Sequence, residues 1–417
     1  MRIEASPVNA LYDEPVSIRL DGFPAVTKVV VRASADDDLG RRWSSHAEFF
    51  TDADGELDLT LQAPIEGSYR VADATGLLWS MTLDSTIKER SPFIKTSCDP
   101  VTVKLGAEID RRPVASAELS RRFAAEGVVR SDINDDGLVA TMFHHEDGAR
   151  PGVIIVGGSG GGLSIDHPAL LASRGYAVMS LGYFAMPGLP RDLMEIPLEY
   201  FEKAIAWMGR HRGVRRGKLA VIGASRGGEL VLLLGATFPQ ITAVIAYVPS
   251  GVVWPGIGAS DVPMRSAWTL GGEQVPCIAT TTRGLEVWNK SPVALTSWFL
   301  ECLKNRESTA RAEIAVEKIG GPVLMFSGTD DQMWPSLNLA DLAMQRLIAH
   351  DFPHSHEHVS YAGAGHFIRF PYSPVISEIF HPIVKTPMAL GGTPAANQVA
   401  NLDSWRRCLN FLGTHLS

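Results

Sequence analysis

Hydrophobic positions along this chain follow two different patterns, and the change falls near residue 126. Before it, apolar and polar residues alternate in short runs. Val16-Ser17-Ile18-Arg19-Leu20 and Glu56-Leu57-Asp58-Leu59-Thr60-Leu61 have period two, and Lys28-Val29-Val30-Val31-Arg32 is β-branched. Ser68-Tyr69-Arg70-Val71 follows a glycine and reads as a further strand. Asp21-Gly22, Asp52-Ala53-Asp54-Gly55 and Glu66-Gly67 separate these runs with turn residues. Alternation puts successive side chains on opposite faces of a sheet, so residues 1–125 are predicted to form an all-β, immunoglobulin-like sandwich. No cluster there has catalytic character, which leaves support, substrate covering or oligomer contact as its role.

From about Val128 the apolar runs become continuous and alternate with helical stretches. Leu138 to Phe143, Val153 to Val156, Tyr176 to Leu181, Lys218 to Ile222, Ala243 to Tyr247, Val323 to Phe326 and His358 to Tyr361 read as strands. Pro168 to Ser173, Leu198 to His211 and Gly228 to Leu234 read as helices. That order predicts a parallel, doubly wound α/β sheet over 126–417, with its functional groups at the carboxyl ends of the strands. Ser250 to Lys318 is rich in Gly, Pro, Trp and Thr with weak periodicity, and is read as loops and helices roofing a pocket.

Composition narrows the class. The chain has 417 residues, more than one ordinary core, with 45% hydrophobic and 20% charged content. A net charge of −8 argues against a general nucleic-acid binder and leaves room for a local basic pocket. Cys98, Cys277, Cys302 and Cys408 are scattered without a CxxC pair, a pattern of reduced thiols in a cytoplasm. Met1 to Pro7 lacks an apolar signal region, and no run approaches the roughly 20 apolar residues of a membrane span. His415-Leu416-Ser417 is not a peroxisomal address. A cytoplasmic location without membrane contact is the expectation.

The chemistry centres on Gly223-Ala224-Ser225-Arg226-Gly227, between the strand Lys218 to Ile222 and the helix from Gly228. A Gly-x-Ser-x-Gly at a strand-to-helix junction is the nucleophile elbow of α/β-hydrolases. The small residues allow a turn so tight that the serine is lifted out of the sheet. A serine hydroxyl needs a base, and the base needs an acid to fix its tautomer; in this fold the order is Ser, acid, His. Ser327-Gly328-Thr329-Asp330-Asp331 follows one strand, and Gly363-Ala364-Gly365-His366 follows another. Asp331 precedes Pro335 by the spacing usual for the acid, which leaves Asp330 to cap or brace the turn. His354, His356 and His358 lack a metalloprotease HExxH pattern and a cysteine partner, so they read as polarity before a strand, and no metal or other cofactor is expected.

An oxyanion hole needs two N–H donors. The amide of Arg226 is one; the second is expected from Gly157-Gly158-Ser159-Gly160-Gly161-Gly162, with Gly160 as the chosen donor. A dinucleotide cradle there lacks the full GxGxxG register and a ribose acid. The basic run Arg210 to Lys218 precedes the nucleophile strand and so falls at the opposite end of the sheet, where solvation is its expected role. Arg226, Arg369, Arg283 and Lys290 are better placed for an anionic substrate.

These motifs resemble the acyl-CoA thioesterase / bile acid-CoA:amino acid N-acyltransferase family over essentially the full length. The resemblance rests on Gly158 to Leu163, Gly175 to Met179, Gly223 to Leu230, Gly328 to Ser336 and Gly363 to Tyr372. It implies a β-sandwich followed by an α/β-hydrolase domain, with a triad of Ser225, Asp331 and His366. It also implies a small-molecule acyl thioester or ester substrate and allows an oligomer. Aminoacyl-transferring members carry cysteine as nucleophile, so serine at 225 points to hydrolysis. Arg226 stands where relatives commonly have Lys or Leu, and Arg369 where an acid is common. The alternatives are a carboxylesterase, peptidase or acyltransferase using the same triad, and a non-catalytic binding protein on a hydrolase scaffold.

Overall fold

The computed structural model describes residues 1–85, 91–258 and 265–416. The chain divides into two units, Met1–Ala125 with Arg369–Ile376, and Glu126–Ile368 with Ser377–Ser417. The second unit is therefore interrupted, shortly after His366, by a segment that belongs to the first.

In the first unit the period-two pattern becomes two sheets. Arg2–Ser6, Ser17–Asp21 and Leu57–Asp58 form the smaller. The larger is centred on Lys28–Asp36, which pairs antiparallel with Arg42–Phe50 on one side and Val101–Ile109 on the other. Along Lys28–Asp36 burial alternates residue by residue, with Val29, Val31 and Ala33 inward. Two predicted strands differ. After Asp58 the chain turns, with the Asp58 carboxylate accepting from the Thr60 amide at 2.8 Å, so the Glu56 to Leu61 run pairs over only two residues. Ser68 to Val71 is not a strand: the buried Tyr69 ring packs over the short helix Gly76–Trp79, where a Cβ on Gly76 would come within 2.2 Å of it. Packing of one aromatic ring overrides the local alternation. Within this unit Phe370 of the returning segment meets the rings of Tyr12 and Phe123.

The second unit carries an eight-stranded sheet: β1 (Val128–Ile133), β2 (Val139–His145), β3 (Arg150–Val156), β4 (Ala177–Gly182), β5 (Val214–Ala224), β6 (Ala243–Tyr247), β7 (Val323–Gly328) and β8 (His356–Tyr361). Their order is 1-2-4-3-5-6-7-8. From β4 to β8 every pairing is parallel, whereas β2 runs antiparallel to both β1 and β4. The expectation of a wholly parallel sheet is corrected at this edge, where β1 and β2 are joined by a short turn in place of a helical crossover. The fold is that of an α/β-hydrolase carrying a β-rich N-terminal region. β4, β6 and β7 are buried along their whole length, as their largely apolar runs require, with Ser180 and Ser327 the polar residues among them. Each such Val or Ile side chain contributes about 1.5–3 kcal/mol by leaving water.

Among the described residues the helices of this unit are α1 (Asp166–Ser173), α2 (Leu198–Arg210), α3 (Arg226–Thr237), α4 (Thr296–Leu303), α5 (Arg306–Ala312), α6 (Ser336–Ala349) and α7 (Pro394–Leu416). Among the described residues the predicted roof yields α4, α5, 3₁₀ turns at Leu285–Asn289 and Val316–Lys318, and the short strands Trp268–Leu270 and Glu273–Gln274; its residues 259–264 lie outside the described residues. Among the described residues no helix is long and apolar enough to cross a membrane.

Candidate active site

β5 ends at Ala224 and α3 begins at Arg226, so Ser225 is the single residue of the turn between them. Its backbone stands at φ 59° and ψ −121°, a conformation that costs a non-glycine residue on the order of 1–3 kcal/mol. The neighbouring glycines make the turn possible. A Cβ on Gly223 would lie 2.1 Å from the Gly227 carbonyl oxygen, and one on Gly227 would lie 2.5 Å from that of Gly157. The Ser225 amide is tied to the Tyr247 carbonyl at 2.9 Å, which fixes the elbow to β6.

The β3–β5 register, with Val156 opposite Gly223, delivers the glycine run alongside the elbow. Tyr183 Oη donates to the Gly157 carbonyl at 2.7 Å and anchors the start of that run. The residue brought against the serine is Gly158, whose Cβ, if present, would lie 3.2 Å from Ser225 Cβ and 3.8 Å from its Oγ. Gly160, the donor chosen from sequence, instead faces Pro382 at 3.6 Å by the same construction. The Arg226 amide heads α3 and has no helical acceptor.

Asp331 and His366 come together from the ends of β7 and β8. His366 Nδ1 lies 2.8 Å from Asp331 Oδ2, and both residues are buried. The other carboxylate oxygen accepts from the amides of Met333 and Trp334 at 3.0 and 3.2 Å, so the acid is held on both sides. A carboxylate only accepts, which puts the imidazole proton on Nδ1 and leaves Nε2 as the free base. The Trp334 ring meets that of His366 edge-on. Asp330 does the bracing: its oxygens accept from the Gly392 amide and the Gln332 side chain. Ser225 Oγ makes no hydrogen bond among the described residues; such contacts commonly tighten only once substrate is bound.

Ser225 opens onto a cavity of about 560 Å³, in the range of about 300–1,000 Å³ usual for small-molecule sites. Its lining is dominated by apolar side chains such as Ile257, Leu295, Trp298, Phe299 and Met388. Of the four cations proposed for an anionic substrate, only Arg226 is among the described lining residues. Its guanidinium is committed inward, donating to the Trp254 carbonyl at 2.9 Å and pairing with Glu229 at 3.3 Å. Burial pushes the Glu229 carboxyl up to about 7, against the pull of Arg226 and a 2.7 Å bond from the Trp268 indole. Arg369 lies over its neighbour Phe370, and Arg283 and Lys290 are exposed on the roof.

Two further residues at the cavity were not read from the sequence. Ser159 Oγ lies 2.9 Å from His381 Nε2, and both line the cavity with Ser225. His381 closes the strand Glu378–His381 of a hairpin that carries no sequence motif. Of the other histidines, His356 Nδ1 contacts the His354 carbonyl, and His358 contacts Ser327 and Asp341. Among the described residues no group of three or more His, Cys, Asp or Glu side chains is placed to hold a metal ion.

Two family models match the chain. The BAAT / acyl-CoA thioester hydrolase C-terminal model covers residues 196–417, and the acyl-CoA thioester hydrolase/BAAT N-terminal region covers 13–135. The chain is 30% identical over 413 residues to the peroxisomal succinyl-coenzyme A thioesterase of Mus musculus, spanning 97% of this chain and 94% of that one. It is 32% identical over 424 residues to acyl-coenzyme A thioesterase 6 of the same organism, with 97% and 94% covered. Among solved structures, a puromycin-hydrolyzing peptidase of Mycobacterium tuberculosis aligns with a TM-score of 0.47 and 15% identity, covering 92% of this chain and 53% of that one.

Proposed function

Since the chain belongs to the acyl-CoA thioester hydrolase/BAAT family, we propose that it cleaves acyl-CoA thioesters through an acyl-enzyme on Ser225. The observation that carries this reading is the pairing of a strained serine, facing an apolar cavity, with a buried Asp331–His366 couple at the same end of the sheet.

The first half-reaction begins as Ser225 Oγ attacks the thioester carbonyl carbon and His366 Nε2 takes the hydroxyl proton. Asp331 holds the imidazole in the tautomer that can do this and stabilises the imidazolium that forms. The amide of Arg226 and one from the Gly158–Gly160 segment face the oxyanion. Gly158 is the segment's point of approach to Ser225, so the donor is assigned to its start in preference to Gly160. The carbon–sulfur bond then breaks, and His366 returns the proton to the departing thiolate. In the second half, water attacks the acyl-enzyme, His366 takes its proton, and the acid leaves as Ser225 regains its hydrogen. The apolar cavity receives the acyl chain. These steps call on side chains and backbone amides of this chain. The reaction is assigned to the cytoplasm, with no nucleic-acid or membrane partner.

The test is release of free CoA thiol from a panel of short, long and branched acyl-CoAs, with Ser225→Ala as control. Release by the wild type that vanishes in the variant supports the reading. Equal release by both proteins overturns the nucleophile. No release, with Ser225 still labelled by a serine-reactive phosphonate, overturns the substrate and turns attention to esters, amides and acyl acceptors.

A further inference from the structure

Ser159 and His381 face the same cavity as Ser225 and take no part in the triad. The direction of their 2.9 Å contact follows from the other ring nitrogen. His381 Nδ1 accepts from the backbone amides of Ile383 and Val384 at 3.3 and 3.2 Å, so it carries no proton. Nε2 therefore holds the hydrogen and donates to Ser159 Oγ. The serine oxygen is occupied as an acceptor, and its own O–H is left to donate elsewhere. Ser159 follows Gly158, whose Cβ, if present, would lie 3.2 Å from Ser225 Cβ, and Ser159 and Ser225 line the same cavity.

We propose that the Ser159 hydroxyl, polarised by His381, is an additional oxyanion donor that acts alongside the backbone amides. The proposal rests on Ser225 being the nucleophile. Ser159 is the catalytic residue and His381 is the positioning residue. In the tetrahedral step the Ser159 O–H hydrogen bond strengthens as negative charge gathers on the former carbonyl oxygen; no proton leaves Ser159, and none leaves His381. Burial, and then the adjacent charge of His366, hold His381 down at about 4. His381 thus stays a neutral donor even when His366 becomes an imidazolium. The hairpin turn supplying the two amides also lines the cavity through Ile383 and Val384, so the dyad ties the glycine run to the wall of the site.

The test uses an alkyl trifluoromethyl ketone, which adds Ser225 Oγ to form a stable oxyanion, beside turnover of an activated ester. Ser159→Ala should weaken ketone binding and lower kcat together by about 10²-fold, with KM nearly unchanged. Ser159→Thr keeps a hydroxyl and should restore both. His381→Phe should match Ser159→Ala, and His381→Gln, which keeps an N–H, should fall between. If Ser159→Ala binds the ketone as wild type does, or moves only KM, the proposal is overturned while Ser225 stands. If the wild type itself forms no adduct at Ser225, the nucleophile assignment and this inference fall together. Should His381→Phe not fold, the alanine and threonine variants of Ser159 still decide the question.

Discussion

Among its described residues the second unit holds two Ser–His–Asp constellations. In one, Ser327 Oγ lies 2.7 Å from His358 Nε2, and His358 Nδ1 lies 3.1 Å from Asp341. In the other, His366 Nδ1 lies 2.8 Å from Asp331, and Ser225 Oγ forms no hydrogen bond among the described residues. By distance alone the Ser327 set is the more complete triad. Yet Ser327, next to last in β7, is 0% exposed and out of reach of any substrate, while Asp341 on α6 has its side chain half in water. Ser225 stands in a strained turn at the head of a helix, beside a glycine run and open to a cavity. A hydroxyl–imidazole–carboxylate chain is an ordinary way to satisfy buried polar groups. What separates a catalytic set from a structural one is access and donors aimed at the developing charge.

The largest expected effects separate the two serines. Ser225→Ala should lower kcat by about 10⁶-fold, as deletion of a triad nucleophile does. Ser327→Ala should leave kcat unchanged in protein that remains folded. Steady-state turnover of both variants, with circular dichroism to verify folding, decides it. Loss of turnover in folded Ser327→Ala would erase the distinction. The acids should divide in the same way. Asp331→Asn removes the group that fixes the His366 tautomer and should reduce kcat by about 10⁴-fold with folding intact. Asp341→Asn should change kcat little. Equal losses in the two asparagine variants would show that both sets couple to the chemistry.

Which parts of this contrast were legible beforehand follows from the range of the interactions involved. The elbow is encoded locally, because Gly223, Ser225 and Gly227 meet one another within a single turn. Asp331 and His366 were placed by their position after apolar strand runs, which a parallel sheet aligns at one end. The Ser327–His358–Asp341 set was not legible, since it joins two strands and a helix through side chains with no motif of their own. His381 escaped for the same reason: it sits 222 positions from Ser159. Gly160 is a choice within a glycine run whose pattern does not say which member the strand register sets against the serine. The failed strand at Ser68 to Val71 shows the converse, a local alternation overruled by Tyr69 packing on Gly76.

If the Ser327 set is structural, its removal should appear in stability. Ser327→Ala leaves His358 Nε2 buried without a partner, and should cost about 1–3 kcal/mol, read as a shift in the urea midpoint. Asp341→Asn removes the charge from a contact whose acid is half exposed, so its effect should be smaller, within about 1 kcal/mol. A larger loss in the asparagine variant than in the alanine variant would reverse the assignment of which partner matters.

The smallest effect is in the pH dependence of that stability. Burial pulls the His358 imidazole below its ordinary value, against the opposing attraction of Asp341. In the unfolded chain the same group titrates near about 6.5. Above that pH both states are neutral at this position, and the contribution of His358 to stability is fully present. As the pH falls through about 6.5 the unfolded state gains a proton that the folded state resists, so stability declines by at most about 1.4 kcal/mol per pH unit until the folded group titrates. His358→Gln keeps a polar group at the Nε2 position and cannot titrate. Its deficit relative to wild type should therefore shrink on going from pH 7 to pH 5. The groups common to both proteins contribute alike to each and cancel in the difference. Urea midpoints of the two proteins at both pH values measure it. A deficit that stays constant would mean that the pull of Asp341 fully offsets burial, and a deficit that grows would mean that it wins.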